Sequence, residues 1–457
     1  MGESKVRILF VMHGSGKGGV EESIITLCKH LNRSLYEPIA VFAAEGYAKD
    51  AMDSIGMKTL IAPIESFIPP AYLSLKNMEE YYFGRFLFFL SERVRELVRI
   101  IKEHKVNVVH SSTITILDGA IASNVAGVPH ICHVHGKYIA NHHFLPVKAV
   151  YSLIEELSSE MVAVSDSVSE FIRGYLPSNR KIAVIYNGIE SDKYVANKNS
   201  ESALFREYVE LKGKKIVALI GRVYDVKGID VYVDAAINVA LKWQDVALLV
   251  IGPIGDQVLY EESVRKIELM GLSSRIIFTG YRDNVPKLLA DIDIVVCASI
   301  SEGFPYVVLE SMAASKPVIS TRCGGPEEAV VDGETGLLVD VGCSAGLSKA
   351  IGILLDDEET MLKMGAKGKE RAVNVFDADQ YARAFEKVYT FAASSDDRGS
   401  LRSHSWELYL VSLSNLGVLG RRVSALEREV MELRKFEALI KDNILYKTAK
   451  KIRNLIK

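Results

Sequence analysis

The chain has 457 residues, of which 25% are charged and 49% hydrophobic, and a formal net charge of −3. It is long enough for two or three domains with full cores, has the balance of a water-soluble globular protein, and lacks the global basic field that nucleic-acid binding calls for. Its five cysteines, Cys28, Cys132, Cys297, Cys323 and Cys343, form no C-x-x-C pair, which predicts reduced thiols in a cytoplasm.

The first apolar run, VRILFV, leads into MHGSGKGGVEES at 12–23. It does not have the form of a secretory signal, because it meets His13 and the glycines with no cleavage site. The glycines do not make a Walker A loop either. Val11 stands where the first glycine of G-x-x-x-x-G-K-[ST] belongs, and Gly18 stands where Ser or Thr would hold Mg²⁺. Glu21 and Glu22 would repel a triphosphate. What remains is a strand, a glycine-rich turn and a helix starting near Val20. Backbone N–H groups at such a turn can face an anion, or the glycines can serve the turn alone.

Further strands are expected at EPIAVFAA, VNVVHSS, PHICHV and MVAVS. Between them Leu87, Leu90, Val94, Leu97, Val98 and Ile101 recur at helical spacing, and DGAIASNVAG reads as a second crossover helix. The aromatic stretch at 67–90 either borders an apolar acceptor groove or belongs to the core. The longest apolar run in it, FLFFL, is far short of the roughly 20 residues that span a bilayer.

After the polar segment VANKNSES the pattern restarts with KKIVALIG, VALLVIG, RIIFTG, DIVVCAS, PVIST and TGLLVD. Such near-continuous apolar strands, alternating with helices, predict an α/β protein with two doubly wound parallel sheets. Ligands are then expected at the C-terminal strand ends, in a cleft between two Rossmann-like domains. The expected divisions are residues 1–195, residues 196–393 with a last helix returning to the first domain, and a linker and helical tail at 394–457. In the tail, Leu416, Leu419, Val423, Leu426, Val430, Leu433, Ile440 and Ile444 fit a heptad seam, and YKTAKKIRNLIK is basic and amphipathic.

Three constellations carry chemistry. Arg222 and Lys227 lie on one loop after the first strand of the second domain, where they suit a diphosphate or form a solvated basic loop. Glu302 and Glu310 stand in an E-x7-E arrangement around the turn Gly303-Phe304-Pro305, with Pro305 suited to the first helical position. They can accept sugar hydroxyls near a helix N-terminus, or act as a helix cap and a solvated carboxylate. His133 and His135 share one strand face, so both can reach the cleft. Asp291 and Asp293 form a D-x-D, but Asp293 opens a strand and so lies at the wrong end for a cleft metal.

The segments GGVE, HVHG, YNGIE, GRVYDVKGID, IGPIGD, FTGYRDNVPKLLADIDIVVCASISEGFPYVVLESMAASKPVIST and VVDGETGLLVD, in that order, resemble glycosyltransferase family 4. These are retaining enzymes of the two-domain GT-B fold, and the resemblance covers residues 5–392. It implies that Gly18 and Gly19 close over a donor diphosphate and that Arg222 and Lys227 neutralise it. Glu302 would lie near the donor sugar, with Gly303, Phe304, Pro305 and Tyr306 lending backbone N–H groups. Glu310 would hold the ribose hydroxyls, Gly280, Tyr281 and Arg282 would border the base, and His135 would be the histidine near the sugar. It also implies a nucleotide-diphosphate sugar as donor substrate, a glycan or lipid-linked glycan as acceptor, and no required metal. The tail lies outside the resemblance; its heptad seam and basic end point to homo-oligomerisation or contact with the inner face of the membrane. The alternative readings are a sugar-nucleotide epimerase or hydrolase on the same scaffold, and a non-catalytic partner-binding subunit.

Overall fold

The computed structural model describes residues 5–394 apart from residues 13, 69–77, 139–146, 195–203 and 205–206. The readings of the tail, of VANKNSES and of His142 and His143 lie outside the described residues. The first sheet comprises β1 (Val6–Met12), β2 (Tyr36–Phe42), β3 (Lys58–Ile61), β4 (Val108–Ser111), β5 (His130–Val134), β6 (Glu160–Ala163) and β7 (Ala183–Val184). Its order is β3-β2-β1-β4-β5-β6-β7. The second comprises β8 (Lys215–Ile220), β9 (Val246–Ile251), β10 (Ile276–Gly280), β11 (Ile294–Cys297), β12 (Val318–Thr321) and β13 (Gly336–Val339), in the order β10-β9-β8-β11-β12-β13. Neighbouring strands run parallel throughout both sheets.

Both sheets are covered on both faces, which is why their strands are apolar at successive positions. Leu9 and Val11 of β1 enter one core cluster, while Ile8, Phe10 and Met12 enter the cluster on the opposite face. In β8, Val217 and Leu219 face one cluster and Ile216 and Ala218 the other. The helix Met78–Glu103 buries Phe86, Leu90, Val94, Leu97 and Ile101 against the first sheet. Phe67 packs edge-on to Phe86 in the same cluster, so these two members of the aromatic stretch are core rather than groove. The helix Ala378–Ser394, which follows the second sheet in the chain, lies on the first one. Its Tyr381, Phe385 and Tyr389 share a cluster with Ile8, Phe10 and Ala40.

The strand order reverses between β1 and β4 in the first sheet and between β8 and β11 in the second. Loops leaving the C-terminal ends at such reversals diverge to opposite faces and open a crevice. The loops after β1, β8 and β11 hold most of the residues singled out above.

Candidate active site

On the second sheet, the loops after β8 and β11 are fixed to one another through their backbones. Ile300 N–H donates to the Val226 carbonyl at 2.8 Å. Gly228 has φ +63°, and a methyl group there would lie 2.1 Å from the Ala298 carbonyl oxygen. This close approach sets Lys227 beside Glu302. The Lys227 ammonium donates to Glu302 Oε1 at 2.6 Å, and the Ser299 hydroxyl donates to the same oxygen at 2.7 Å. Burial alone would lower the Lys227 pKa, but the charge and hydrogen bond of Glu302 outweigh it and hold the ammonium above the ordinary lysine value. Arg222 leans on the Tyr224 ring, 5.7 Å from its centroid.

The loop after β11 then crosses towards the first domain. Phe304 is buried against Tyr186, with ring centroids 4.9 Å apart, and its carbonyl accepts from Asn187 Nδ2 at 2.9 Å. The helix begins at Tyr306, with Pro305 as its N-cap rather than its first residue. Proline carries no N–H, so of the four residues expected to lend donors only Gly303, Phe304 and Tyr306 can. The Tyr306 hydroxyl donates to the Gly188 carbonyl at 3.0 Å. One turn on, the Tyr194 hydroxyl donates to Glu310 Oε1 at 3.0 Å, and burial raises the Glu310 pKa to about 7.

The first domain faces this loop with its glycine turn. Gly18 is the N-cap of the helix Gly19–His30, and Gly19 sits against the Tyr306 ring. The Glu21 carboxylate turns back on its own loop, so that a methyl group at Gly18 would lie 2.6 Å from it. Burial holds Glu21 above the usual carboxylate range, and the Arg222 charge acts in the opposite sense. Lys17 reaches across the cleft and donates to the Asp283 carbonyl at 2.8 Å. Gly280 closes β10 with φ +70°, and the Tyr281 side chain beyond it is exposed. The Arg282 guanidinium is already held by both oxygens of Glu207, at 2.5 and 2.7 Å, and by the Thr279 carbonyl.

His135 follows the last residue of β5. A methyl group at Gly303 would lie 2.0 Å from the His135 carbonyl oxygen, so the two loops touch across the domain boundary. His133 is wholly buried, its ring centroid 3.9 Å from that of His135. Burial lowers the pKa of His130 and of His135 to about 3, and also depresses those of His110 and His133. An unfolded histidine takes up its proton near pH 6.5, whereas these four resist protonation while folded. The unfolded chain therefore binds more protons below that pH, and stability falls as the pH drops. Each histidine removes about 1.4 kcal/mol per pH unit over its interval. The urea midpoint should decline steeply from about pH 6.5 to pH 4. A midpoint that is flat over this range would show that the cluster is hydrated or already charged.

Asp293 precedes β11 at the edge remote from the cleft. Its Oδ2 accepts from Ile216 N–H at 2.7 Å and its Oδ1 lies 3.6 Å from Lys215 Nζ. Among the described residues, no three His, Cys, Asp or Glu side chains are grouped so as to hold a metal ion. Sequence reasoning missed Ser299, Asn187, Tyr194 and Lys17. A serine three residues before Glu302 and the asparagine of YNGIE were visible signals, but Tyr194 meets Glu310 across 116 residues and carried none.

Comparisons with known proteins follow the two-sheet division. Residues 17–193 match the model of Glycosyltransferase Family 4, and residues 200–371 match that of Glycosyl transferases group 1. The N-acetyl-alpha-D-glucosaminyl L-malate synthase of Bacillus anthracis is 30% identical over 246 residues, 54% of this chain and 63% of that protein. An N,N'-diacetylbacillosaminyl-diphospho-undecaprenol alpha-1,3-N-acetylgalactosaminyltransferase of Campylobacter jejuni is 27% identical over 53% of this chain and 63% of its own length. The chain thus spans just under two thirds of these curated relatives. In fold it resembles Anabaena HepE, crystallised with UDP and glucose, with a TM-score of 0.72 and 23% identity over 84% of this chain and 100% of that one. With one family model on each sheet domain, and the two together spanning well over half of the sequence, the chain belongs to the GT-B glycosyltransferases of the family 4 kind.

Proposed function

We propose that the protein moves a glycosyl group from a nucleotide-diphosphate sugar to a glycan or lipid-linked glycan acceptor, with retention at the anomeric carbon. The setting we favour is synthesis of a cell-surface polysaccharide or glycoconjugate. The observation that carries this reading is the Lys227–Glu302 pair at the strand-order reversal, on the loop whose Gly303 meets the other domain at His135. In this reading Lys227 and Arg222 meet the charge that develops on the departing diphosphate, and the N–H groups of Gly303, Phe304 and Tyr306 add fixed dipoles. Glu302 accepts from sugar hydroxyls, Glu310 from those of the ribose, and Gly280 to Arg282 border the base through their backbone. The leaving phosphate takes the acceptor proton on the same face, so the protein contributes orientation and exclusion of water.

Donor identity is read by thermal shift across a panel of nucleotide sugars, since a ligand at a hundred times its Kd stabilises by roughly 2.7 kcal/mol. Turnover of the stabilising sugar should require acceptor and persist in excess EDTA, because Asp293 is committed to Ile216 and Lys215. Acceptor-independent consumption would favour a hydrolase or epimerase, and loss in EDTA restored by Mn²⁺ would assign a metal role.

For the tail we propose assembly or peripheral contact with an anionic membrane at its cytoplasmic face. Among the described residues no helix is long and apolar enough to cross a membrane. The heptad seam and the basic terminal segment support this reading. A chain ending at residue 395 should keep turnover on a soluble acceptor and lose self-association or liposome binding. Retention of both properties would reject the tail's role.

A further inference from the structure

β4 and β5 are neighbours in the first sheet, and three histidines on one face of this pair lie in a row. The His135 and His133 ring centroids are 3.9 Å apart, and those of His133 and His110 are 5.3 Å apart. The row continues into the helix Ala378–Ser394. The Tyr389 hydroxyl is 2.7 Å from His110 Nδ1, and Phe385 lies 4.8 Å from His133 and 5.4 Å from His110 between ring centroids.

Four ring nitrogens of this row are left unpaired. Both ring nitrogens of His133, Nε2 of His110 and Nε2 of His135 are buried without a hydrogen-bond partner. His130, on the same strand, makes the contrast. Its two nitrogens meet Ser158 and Ser111, each at 2.9 Å, so it is a satisfied core residue. An imidazole that uses neither nitrogen costs desolvation that a phenylalanine or leucine in the same space would not. Packing alone therefore does not explain a histidine at position 133. Its ring instead lies against that of His135, the partly exposed residue that follows β5.

We propose that His133 is a positioning residue for His135, the middle member of a buried column that runs from Tyr389 through His110 to the cleft. This rests on the assignment of His135 to the donor site. The column has two consequences. The His135 ring is held from behind while its carbonyl is held by the Gly303 loop. The support also includes Phe385 and Tyr389 of a helix that follows the second domain in the chain.

The test uses the full chain and the donor found by the thermal-shift panel. His133→Phe removes the unpaired nitrogens and puts a larger ring in the 3.9 Å contact, so it displaces the His135 ring while keeping the position apolar. We expect its thermal midpoint to equal or exceed that of the wild type, its kcat to fall about tenfold or more, and its donor KM to stay within about twofold, the pattern of a group that acts only in the transition state. Ring ¹³C–¹H spectra of His135 should show one sharp environment in the wild type and broadened or split signals in the variant. If His133→Phe does not fold, His110→Phe breaks the column one ring further from the cleft and is expected to give the same split. Wild-type kcat in a folded variant with an unchanged His135 spectrum overturns the proposal. His135→Ala separates the two failures. If it is inactive while His133→Phe is fully active, only the positioning role is lost. If it keeps wild-type turnover, the His135 assignment falls and the proposal falls with it.

Discussion

Replacing Lys227 or Glu302 by alanine should each lower turnover by roughly 10²–10³-fold, the loss typical of removing one preorganised charge partner from a transition state. The two side chains share one hydrogen bond of 2.6 Å and sit on loops that leave β8 and β11, not on strand positions that fill the core. Truncation therefore opens no cavity, and the thermal midpoint should move by only a few degrees. The double variant should be little worse than the poorer single variant, because a cation and its carboxylate that act as one unit are not additive. Ser299 gives a graded control. Ser299→Ala removes one hydrogen bond from Glu302 Oε1 and leaves Lys227 in place, so its loss should be the smallest of the set. Near-normal turnover in purified, folded Lys227→Ala and Glu302→Ala would remove the reacting centre from this pair.

Gly303→Ala should be as damaging without touching any charge. The new methyl group would lie 2.0 Å from the His135 carbonyl oxygen and 3.2 Å from Gly136 Cα, which is backbone on the other domain. No side chain can swing aside, so the domains must separate by roughly 1 Å to restore van der Waals contact. A displacement of that size between donor-side and acceptor-side groups costs about a hundredfold in rate. Phe304 and Tyr186 pack in a core cluster that the two domains share, so the midpoint should fall too. The fall should be smaller than in Gly325→Ala, whose clash lies inside one domain. Gly325→Ala is the informative contrast. Its methyl group would lie 1.8 Å from the Gly303 carbonyl oxygen, within the same domain, so it should lower stability as well as activity. Wild-type turnover in Gly303→Ala would mean that the contact with His135 is not the working arrangement.

The second sheet was legible strand by strand, because its central strands are buried on both faces and all six begin as apolar runs bounded by turn residues. Two strands of the first sheet were not. β3 is KTLI at a sheet edge, half polar and four residues long, and β7 is a two-residue strand at the opposite edge. Lys227 and Glu302 stood out as loop charges at strand ends and through the family resemblance, and the structure brings the two together. Their supports did not stand out, since Asn187 binds the Phe304 carbonyl and Lys17 the Asp283 carbonyl across 117 and 266 residues. Pro305 was displaced by one position, an offset that helix-start signals do not resolve. Strand alternation put His133 and His135 on one face. Only the end of β5 at Val134 separates the buried ring from the one at the edge.

The helix Ala378–Ser394 closes a face of the first sheet that its own domain leaves open, covering Phe10, Tyr36, Ala40 and His110. The first domain is thus complete in sequence long before it is complete in space. On a ribosome adding about 5–20 residues per second, some 200 residues separate the end of β7 from this helix, a delay of roughly 10–40 s during which an apolar sheet face waits for its cover. The two domains are therefore poor candidates for separate expression. A fragment ending near residue 195 would carry the glycine turn and His135 but expose the surface that Tyr381, Phe385 and Tyr389 bury in the whole chain.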